Sequence, residues 1–385
     1  MLLVLLAVAG AAHRAHAPGS TKAKAAQLTA RIKRAPTVPA LLDEHAKSCA
    51  EFNEIHVSAF WVRVGQLRRG WHVDDAMAIA ALVPVLAHTL ELLPGDGFRC
   101  RQLTGTGNGL AKSGLGHAAA VRPVWDALAA GVKGRLDEYK PREVATTAWS
   151  FAKAGVGGAH PSLYAALELE ALGRLPEFTP QGLANMGWAF AKAGHPAPRL
   201  FDELESEVTS SEDRLADFAS RELCALVWAY AALAHPAAAR VCVAVAREAR
   251  DRLDDFTLHE LATMGWSLAA ADAVAAGDLL FGGGSPFVAL CEELLAECPA
   301  NAGTLTQLWQ WQLWTSERTG RGWRRLSDAP ARRCREAFLT EPIASPSSFE
   351  ESVCAALQAM GLQTARKVCM GAGVNGRPRR HDAKG

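Results

Sequence analysis

A tryptophan framed by small residues returns at almost constant spacing, and this spacing limits the chain to a repeat architecture. The stretches TTAWSFAKAG, NMGWAFAKAG, LVWAYAALAH and TMGWSLAAAD place Trp149, Trp188, Trp228 and Trp266 at separations of 39, 40 and 38 residues. A hydrophobic residue stands five positions before each tryptophan, and an aromatic residue or Leu stands two positions after it. Periods of this length are typical of stacked helical units.

Each copy predicts a helical hairpin. Its leading segment starts near a His-Pro pair, at His160, His195 or His235, and Pro favours the first helical turn. The second segment carries the tryptophan. Neither amphipathic helix can bury its apolar side alone, so neighbours must stack. We therefore predict an all-α fold, an α-solenoid of stacked helical hairpins with a period of about 40 residues, over residues 41–315 and clearest over 141–270. Weaker copies place Asn108, and earlier Phe60, where the tryptophan stands.

The second helix is apolar around most of its circumference, which predicts an inner helix with Trp149 as core packing. A narrow polar stripe remains, formed in one copy by Arg142, Thr146, Ser150 and Lys153. The stripe varies from copy to copy, as expected for a surface that contacts a regular polymer such as single-stranded RNA. The alternative is a stripe that is polar only because water covers it. The residues predicted to contact RNA are Arg142, Thr146, Lys153, Gln181, Asn185, Lys192, Arg221, His259 and Thr263.

The charges are unevenly distributed. Residues 143–317 carry 10 basic and 23 acidic side chains, whereas both flanking regions are basic. An acidic middle opposes RNA binding unless the acids point away from the RNA. We expect 13 of them to lie in or beside the leading helices: Glu168, Glu170, Glu177, Asp202, Glu203, Glu205, Glu207, Glu212, Asp213, Asp217, Asp251, Asp254 and Asp255.

Both termini are expected to lie outside the repeats. Residues 1–17 form a signal-like hydrophobic segment, and residues 18–40 form a basic, transit-like segment that lacks acids. The pair predicts import into a plastid by a two-part presequence. A secretory signal, a mitochondrial presequence and a mispredicted first exon are the alternatives. Residues 316–370 are expected to be a helical region, and residues 371–385 a disordered basic tail.

The copies PREVATTAWSFAKAG and TPQGLANMGWAFAKAG resemble the tryptophan-bearing repeats of algal organellar RNA-binding proteins. These proteins are related to octotricopeptide-repeat proteins, to chloroplast Tbc-type translation factors and to helical proteins of the RNA-editing substrate-binding complex. The stretches LTQLWQWQLWTSERTG, RRCREAF and SPSSFEESVCAALQAMGL resemble the approach to a RAP domain. The sequence that follows, CMGAGVNGRPRRHDAKG, departs from that domain, so we expect the RAP domain to be truncated or absent.

The resemblance implies an organellar RNA-binding protein that supports RNA processing, stability, translation or rRNA maturation. Its partners would be single-stranded organellar RNA and other RNA-processing or ribosome-assembly proteins, with no membrane in the mature form. A protein-binding scaffold without RNA contact is the alternative. We expect no enzyme and no cofactor, because no catalytic motif stands out. No metal site is expected, because the His-Pro histidines fall one to a repeat. The nine cysteines have no C-x-x-C spacing and should be reduced.

Overall fold

The computed structural model describes residues 22–340, apart from the side chain of Glu212, and all regular structure in that range is helical. The predicted all-α class is confirmed. The signal-like residues 1–17, the RAP-approach stretch at 345–362 and the basic tail at 371–385 lie outside the described residues. The chain divides into two compact units, one ending at Leu204 and the other beginning at Glu205.

The first unit consists of two rows of helices. Its helices are α1 (Lys22–Arg34), α2 (Val38–Ser48), α3 (Glu54–Leu67), α4 (Asp75–Leu92), α5 (Cys100–Lys112), α6 (Arg122–Lys133), α7 (Pro141–Lys153), α8 (Pro161–Ala171), α9 (Pro180–Ala193) and the first part of α10 (Pro198–Val208). In one row α1, α3, α5, α7 and α9 pack side by side in that order. In the other row α2, α4, α6 and α8 do the same. Sequential packing of this kind is that of an α-solenoid.

The second unit repeats the arrangement with an irregular end. Its helices are α11 (Ser220–Ala232), α12 (Ala238–Ala249), α13 (Leu258–Ala270), α14 (Val274–Phe281), α15 (Phe287–Glu297), α16 (Ala302–Ser316) and α17 (Asp328–Thr340). One row runs α11, α13, α16, α17, and α12 packs on α14 beside it. Two short helices, α14 and α15, stand where earlier repeats have a single leading helix. The helix order thus departs from the predicted hairpin after α13, and the period of about 40 residues stays a prediction.

Local capping explains where the tryptophan-bearing helices begin. In three of them a glutamate at the third helical position turns back to the backbone before the helix, as in a capping box. The carboxylates of Glu143, Glu222 and Glu260 accept hydrogen bonds from the amides of residues 140, 219 and 257 at 3.0, 3.0 and 2.8 Å. The leading helices begin less regularly than predicted. Only Pro161 starts its helix, because α10 and α12 begin two residues beyond their His-Pro pairs.

A left-handed residue ends each of these helices. Gly155 and Gly194 have φ of 72° and 65°. The corresponding residues of the next two copies, Ala234 and Asp272, adopt φ of 47° and 46° although they carry a Cβ. Left-handed backbone costs a non-glycine residue about 1 kcal/mol or more, so packing of the following loop must hold these two positions in place.

Small residues let neighbouring backbones approach closely. A Cβ built on Gly65 of α3 would lie 2.8 Å from the carbonyl oxygen of Gly109 in α5. A Cβ on Gly109 would lie 2.6 Å from the amide nitrogen of Val62 and would overlap the carbonyl group of Trp61. Since these neighbours are backbone atoms, α3 and α5 can only pack this closely with glycine at both positions.

An arginine brace joins successive repeats, and sequence reasoning missed it. Three arginines each stand four residues before an aromatic residue that precedes a tryptophan-bearing helix: Arg135, Arg174 and Arg252. Their guanidinium groups donate to the backbone carbonyls of Phe98, Tyr139 and Phe218, the equivalent aromatic residues one repeat earlier. A charged donor on a carbonyl forms a stronger bond than a neutral one. Each brace therefore fixes one repeat against the next.

The folded region begins earlier than expected. Residues 22–34 of the transit-like segment form α1, whose Leu28 and Ile32 are 1% and 0% exposed and pack beside α3. Farther on, α4 is the one helix among the described residues with the length and apolar composition of a membrane span. It packs against α2, α3 and α6 and buries Leu82, Val85 and Leu86. Such a composition also suits a helix of a protein core.

Candidate nucleic-acid interface

Eleven side chains of the first unit share one side of three neighbouring helices, and we call this set the tryptophan face. They stand 2, 6, 9 or 13 residues after the N-cap of α5, α7 or α9, a spacing that puts them on one side of a helix. The set consists of Arg101, Asn108, Lys112, Arg142, Thr146, Trp149, Lys153, Gln181, Asn185, Trp188 and Lys192. Each of them is exposed or half-buried.

The prediction that the tryptophan is core packing is wrong. Trp149 and Trp188 are half-buried on the tryptophan face, and their ring centroids lie 6.3 Å apart with the rings tilted by 34°. The ammonium group of Lys112 lies 6.0 Å from the ring centroid of Trp149. The core aromatic residues of these helices are instead Phe151 and Phe190, which are 1% and 0% exposed.

Ser150 was predicted to belong to the stripe, but it is 1% exposed and donates to the carbonyl of Thr146 at 2.6 Å. Polarity alone predicted that Trp149 is in the core and Ser150 on the stripe, whereas the structure places Ser150 in the core and Trp149 on the tryptophan face. In the earliest copy the tryptophan position belongs to Val62, nine residues after the N-cap Asn53, rather than to Phe60. Phe60 is fully buried, whereas Val62 is 39% exposed. These wrong assignments have one cause. Hydrophobic periodicity does not show how many neighbouring helices pack on each side of a given helix.

The tryptophan face is basic. Helices α5, α7 and α9 contain five basic residues, Arg101, Lys112, Arg142, Lys153 and Lys192, and all five are exposed. Their one acid is Glu143, whose carboxylate caps α7. Lys112, Lys153 and Lys192 share the thirteenth position and so form one edge of the face. This edge combines positive charge with neighbouring aromatic rings, which suits a polyanion that carries flat bases.

The predicted contact residues divide between the two units. Arg142, Lys153, Gln181 and Lys192 are exposed and Asn185 is half-buried, all on the adjacent helices α7 and α9. Thr146 lies beside them, but its hydroxyl donates to the carbonyl of Arg142 at 2.7 Å. Six of the nine predicted residues are therefore brought together in the first unit.

The second unit uses its three predicted residues differently. Arg221 is exposed and lies 3.6 Å from the carboxylate of Glu222. A ring nitrogen of His259 lies 3.1 Å from the hydroxyl of Thr304 in α16. Thr263 is a wrong prediction, because it is 9% exposed and its hydroxyl lies 3.4 Å from the side-chain oxygen of Gln307. Helix α16 packs on α13, and its residues contact the side chains of both His259 and Thr263.

The acids lie in or beside the leading helices, as expected. Glu168 and Glu170 belong to α8, and the acids of residues 202–207 belong to α10. Others follow in the turns Leu175–Glu177, Glu212–Leu215 and Leu253–Asp255. None of these 13 acids stands on α5, α7 or α9. The acidic composition of the middle region is thus compatible with a basic tryptophan face.

The histidines of the His-Pro pairs serve local contacts. The two ring nitrogens of His160 lie 2.9 Å from the carbonyl oxygen of Val156 and 3.1 Å from the carboxylate of Asp126. A ring nitrogen of His235 accepts the amide of Ala237 at 3.2 Å. A different group, His45, Cys49 and His88, is the one set within residues 22–340 whose side chains could hold a metal ion. The His-x-x-x-Cys spacing on α2 was its only sequence signal.

Comparison with known proteins assigns no family: no protein-family model matches the chain, and no curated protein matches it either.

Proposed function

We propose that this protein binds single-stranded RNA in an organelle through the tryptophan face of its first unit. Its role would be that of a helical-repeat protein that supports RNA processing, stability, translation or rRNA maturation by binding, without a catalytic step of its own. The single observation that carries the proposal is the pair of half-buried rings, Trp149 and Trp188, beside the exposed Lys112. The organellar setting rests on the sequence of residues 1–40, of which residues 22–34 also form α1 of the first unit.

Aromatic rings of this kind suit single-stranded nucleic acid. A fully buried tryptophan needs no ligand, but a half-buried one leaves part of a large apolar surface in water. Unpaired bases of RNA present flat faces that stack on such rings, and each stacked base contributes about 1–3 kcal/mol. A base pair inside a duplex hides these faces, so the tryptophan face favours single strands.

The order of residues along each helix suggests how an RNA strand would lie. From each tryptophan the lysine edge is four positions further along the helix, about 6 Å away. Lys153 and Lys192 are therefore placed to contact phosphates while a base stacks on the ring. On the other side, three positions back, stands Asn185, and Gln181 follows one turn beyond. Their amides can both donate to and accept from base edges.

The test is the binding of the purified chain to a random-sequence pool of labelled single-stranded RNA, measured by fluorescence anisotropy. The substitutions Trp149→Ala and Trp188→Ala should each weaken binding about 5- to 150-fold, the equivalent of one lost stacking contact. Trp149→Phe and Trp188→Phe should retain part of the affinity. Trp71→Ala is the matched control, because Trp71 is also half-buried but lies outside the tryptophan face.

Circular dichroism and thermal denaturation must show that each variant is folded. If the folded W149A and W188A proteins bind RNA like the wild type, the tryptophan face is not the binding surface. If the wild-type chain binds no RNA, and crosslinking recovers no organellar transcript, the alternative of a protein-binding scaffold replaces the proposal.

A further inference from the structure

In the first unit three potential metal ligands from two helices meet at one point. His45 lies near the end of α2, Cys49 follows one turn later, and His88 lies in the last part of α4. A ring nitrogen of His45, Nε2, is 3.1 Å from Nδ1 of His88, and Sγ of Cys49 is 3.6 Å from the same Nδ1. All three ligand atoms lie within 4.8 Å of one another.

Two of these distances match a tetrahedral zinc ion. Zinc binds imidazole nitrogen at about 2.0–2.1 Å and thiolate sulfur at about 2.3 Å. At a tetrahedral angle, these bonds place two nitrogens about 3.3 Å apart and a nitrogen and a sulfur about 3.6 Å apart. The two separations that involve His88 are 3.1 Å and 3.6 Å, and the ligand atoms of His45 and Cys49 lie within 4.8 Å of each other.

Burial acts on the pKa values of the three groups in different directions. Burial, and to a smaller extent the neighbouring His88, lower the pKa of His45 to about 4. Burial also lowers the pKa of His88, although the nearby Glu91 acts in the opposite direction. Burial and Glu91 raise the pKa of the Cys49 thiol, which must lose its proton to bind a metal. The ring of Phe52 lies 4.9 Å from that of His45, edge to face, and supplies an apolar wall.

We propose that His45, Cys49 and His88 form a zinc site that fastens α2 to α4. Imidazole nitrogen and thiolate sulfur are both zinc ligands. Glu91 stands one turn after His88, is exposed, and acts electrostatically on both His88 and Cys49. Its carboxylate, or a water molecule, would complete the four ligands. Zinc binding releases the thiol proton of Cys49 to solvent. It also replaces the hydrogen bond between the rings of His45 and His88.

The site would be structural. Residues 45 and 88 are 43 positions apart in the sequence. The ion would connect α2 and α4, which are the first two helices of the second row in the first unit. It lies on helices other than those of the tryptophan face, so the zinc proposal and the RNA proposal can fail separately.

Cobalt(II) is the probe, because its complexes report geometry and thiolate ligation by absorbance. The full chain, reduced and freed of metal with a chelator, is titrated with Co²⁺. We expect one equivalent to give the intense visible bands of a tetrahedral site and a near-ultraviolet thiolate-to-cobalt band, both abolished by Zn²⁺. Cys49→Ser should remove the thiolate band and weaken Zn²⁺ binding at least tenfold. Cys298→Ser is the matched control, since Cys298 is also exposed.

Alkylation gives a second readout that does not depend on a variant. Zn²⁺ should protect Cys49 from iodoacetamide while Cys298 continues to react, as followed by mass spectrometry. A thiolate band that survives Cys49→Ser, equal reactivity of Cys49 with and without Zn²⁺, or no tetrahedral cobalt spectrum would each overturn the zinc site. In that case His45 and His88 form a hydrogen-bonded pair only.

Discussion

At the scale of single residues, the repeated tryptophan shows how one side chain can serve two purposes. The indole of Trp149 covers neighbouring helix surface with one part and leaves the other part accessible beside Lys112. The residue that follows it, Ser150, fills a buried position too small for an aromatic ring. Alternating large and small side chains in this way lets the row of helices pack closely while rings remain at its surface.

The cysteines give a residue-scale prediction. Burial raises the pKa of Cys242 to about 12, and it raises the pKa of Cys334 to about 11, with Arg333 acting in the opposite direction. Since only the thiolate reacts with iodoacetamide, a raised pKa and burial both slow the reaction at pH 8. We expect the exposed Cys298 to be alkylated in the folded protein, whereas Cys242 and Cys334 react only after unfolding in urea. Mass spectrometry of the labelled peptides measures this, and labelling of Cys242 as fast as Cys298 in the folded chain would contradict it.

At the scale of helices, the fold depends on contacts that recur from repeat to repeat. Glutamates cap the tryptophan-type helices, left-handed residues end them, and arginines brace them to the previous repeat. The glutamates and the left-handed turns satisfy backbone groups that a helix end leaves without partners, and the arginines bond carbonyl groups of the loops before the helices. The same capping and bracing contacts can therefore recur in each repeat while the exposed side chains differ.

The contact of α3 with α5 gives a prediction at this scale. Gly109→Ala should lower the free energy of unfolding by about 1–3 kcal/mol, because the added Cβ would overlap the backbone of Trp61 and Val62. Helix propensity alone predicts the opposite sign, a gain of about 1 kcal/mol. Urea denaturation followed by circular dichroism distinguishes the two.

Gly70→Ala is the matched control for this experiment, since a Cβ on Gly70 meets nothing within 4 Å. Its effect should stay within about 0.5 kcal/mol. A Gly109→Ala protein as stable as the wild type would show that α3 and α5 can separate without cost.

At the scale of the whole molecule, a formal net charge of +1 hides a separation of charge by helix row. Acids concentrate in α8, α10 and the turns that follow the leading helices, whereas α5, α7 and α9 carry the exposed Lys112, Lys153 and Lys192 against the single acid Glu143. Net charge therefore says little about which surface attracts a polyanion.

This separation predicts the salt dependence of RNA binding. Replacing Lys112, Lys153 and Lys192 with Gln should weaken binding to all sequences alike and reduce the slope of log K against log salt by about two units, since each phosphate contact on a single strand contributes about 0.7. Titrations at several salt concentrations measure the slope. The control replaces Arg122, Arg199 and Arg247, which are equally exposed but lie on α6, α10 and α12. Equal slope changes in the two triple variants would show that binding depends on total charge and not on the tryptophan face.

The sequence by itself determined the class of the fold and much of its local structure. The His-Pro pairs marked the starts of α8, α10 and α12 to within a few residues, because helix-start signals are properties of neighbouring residues. It also placed the acids in or beside the leading helices, and it identified Arg142, Gln181 and Lys192 as side chains of an accessible stripe.

Only the tertiary structure decided which side of each helix stays open. Trp149 belongs to the surface and Ser150 to the interior, and Thr263 is covered because α16 packs on α13. The meeting of His45 with His88 likewise depends on how α2 and α4 pack. Periodicity assigns a side chain to a direction around its own helix. Whether that direction faces water depends on residues about 40 positions away, whose arrangement the local pattern does not contain.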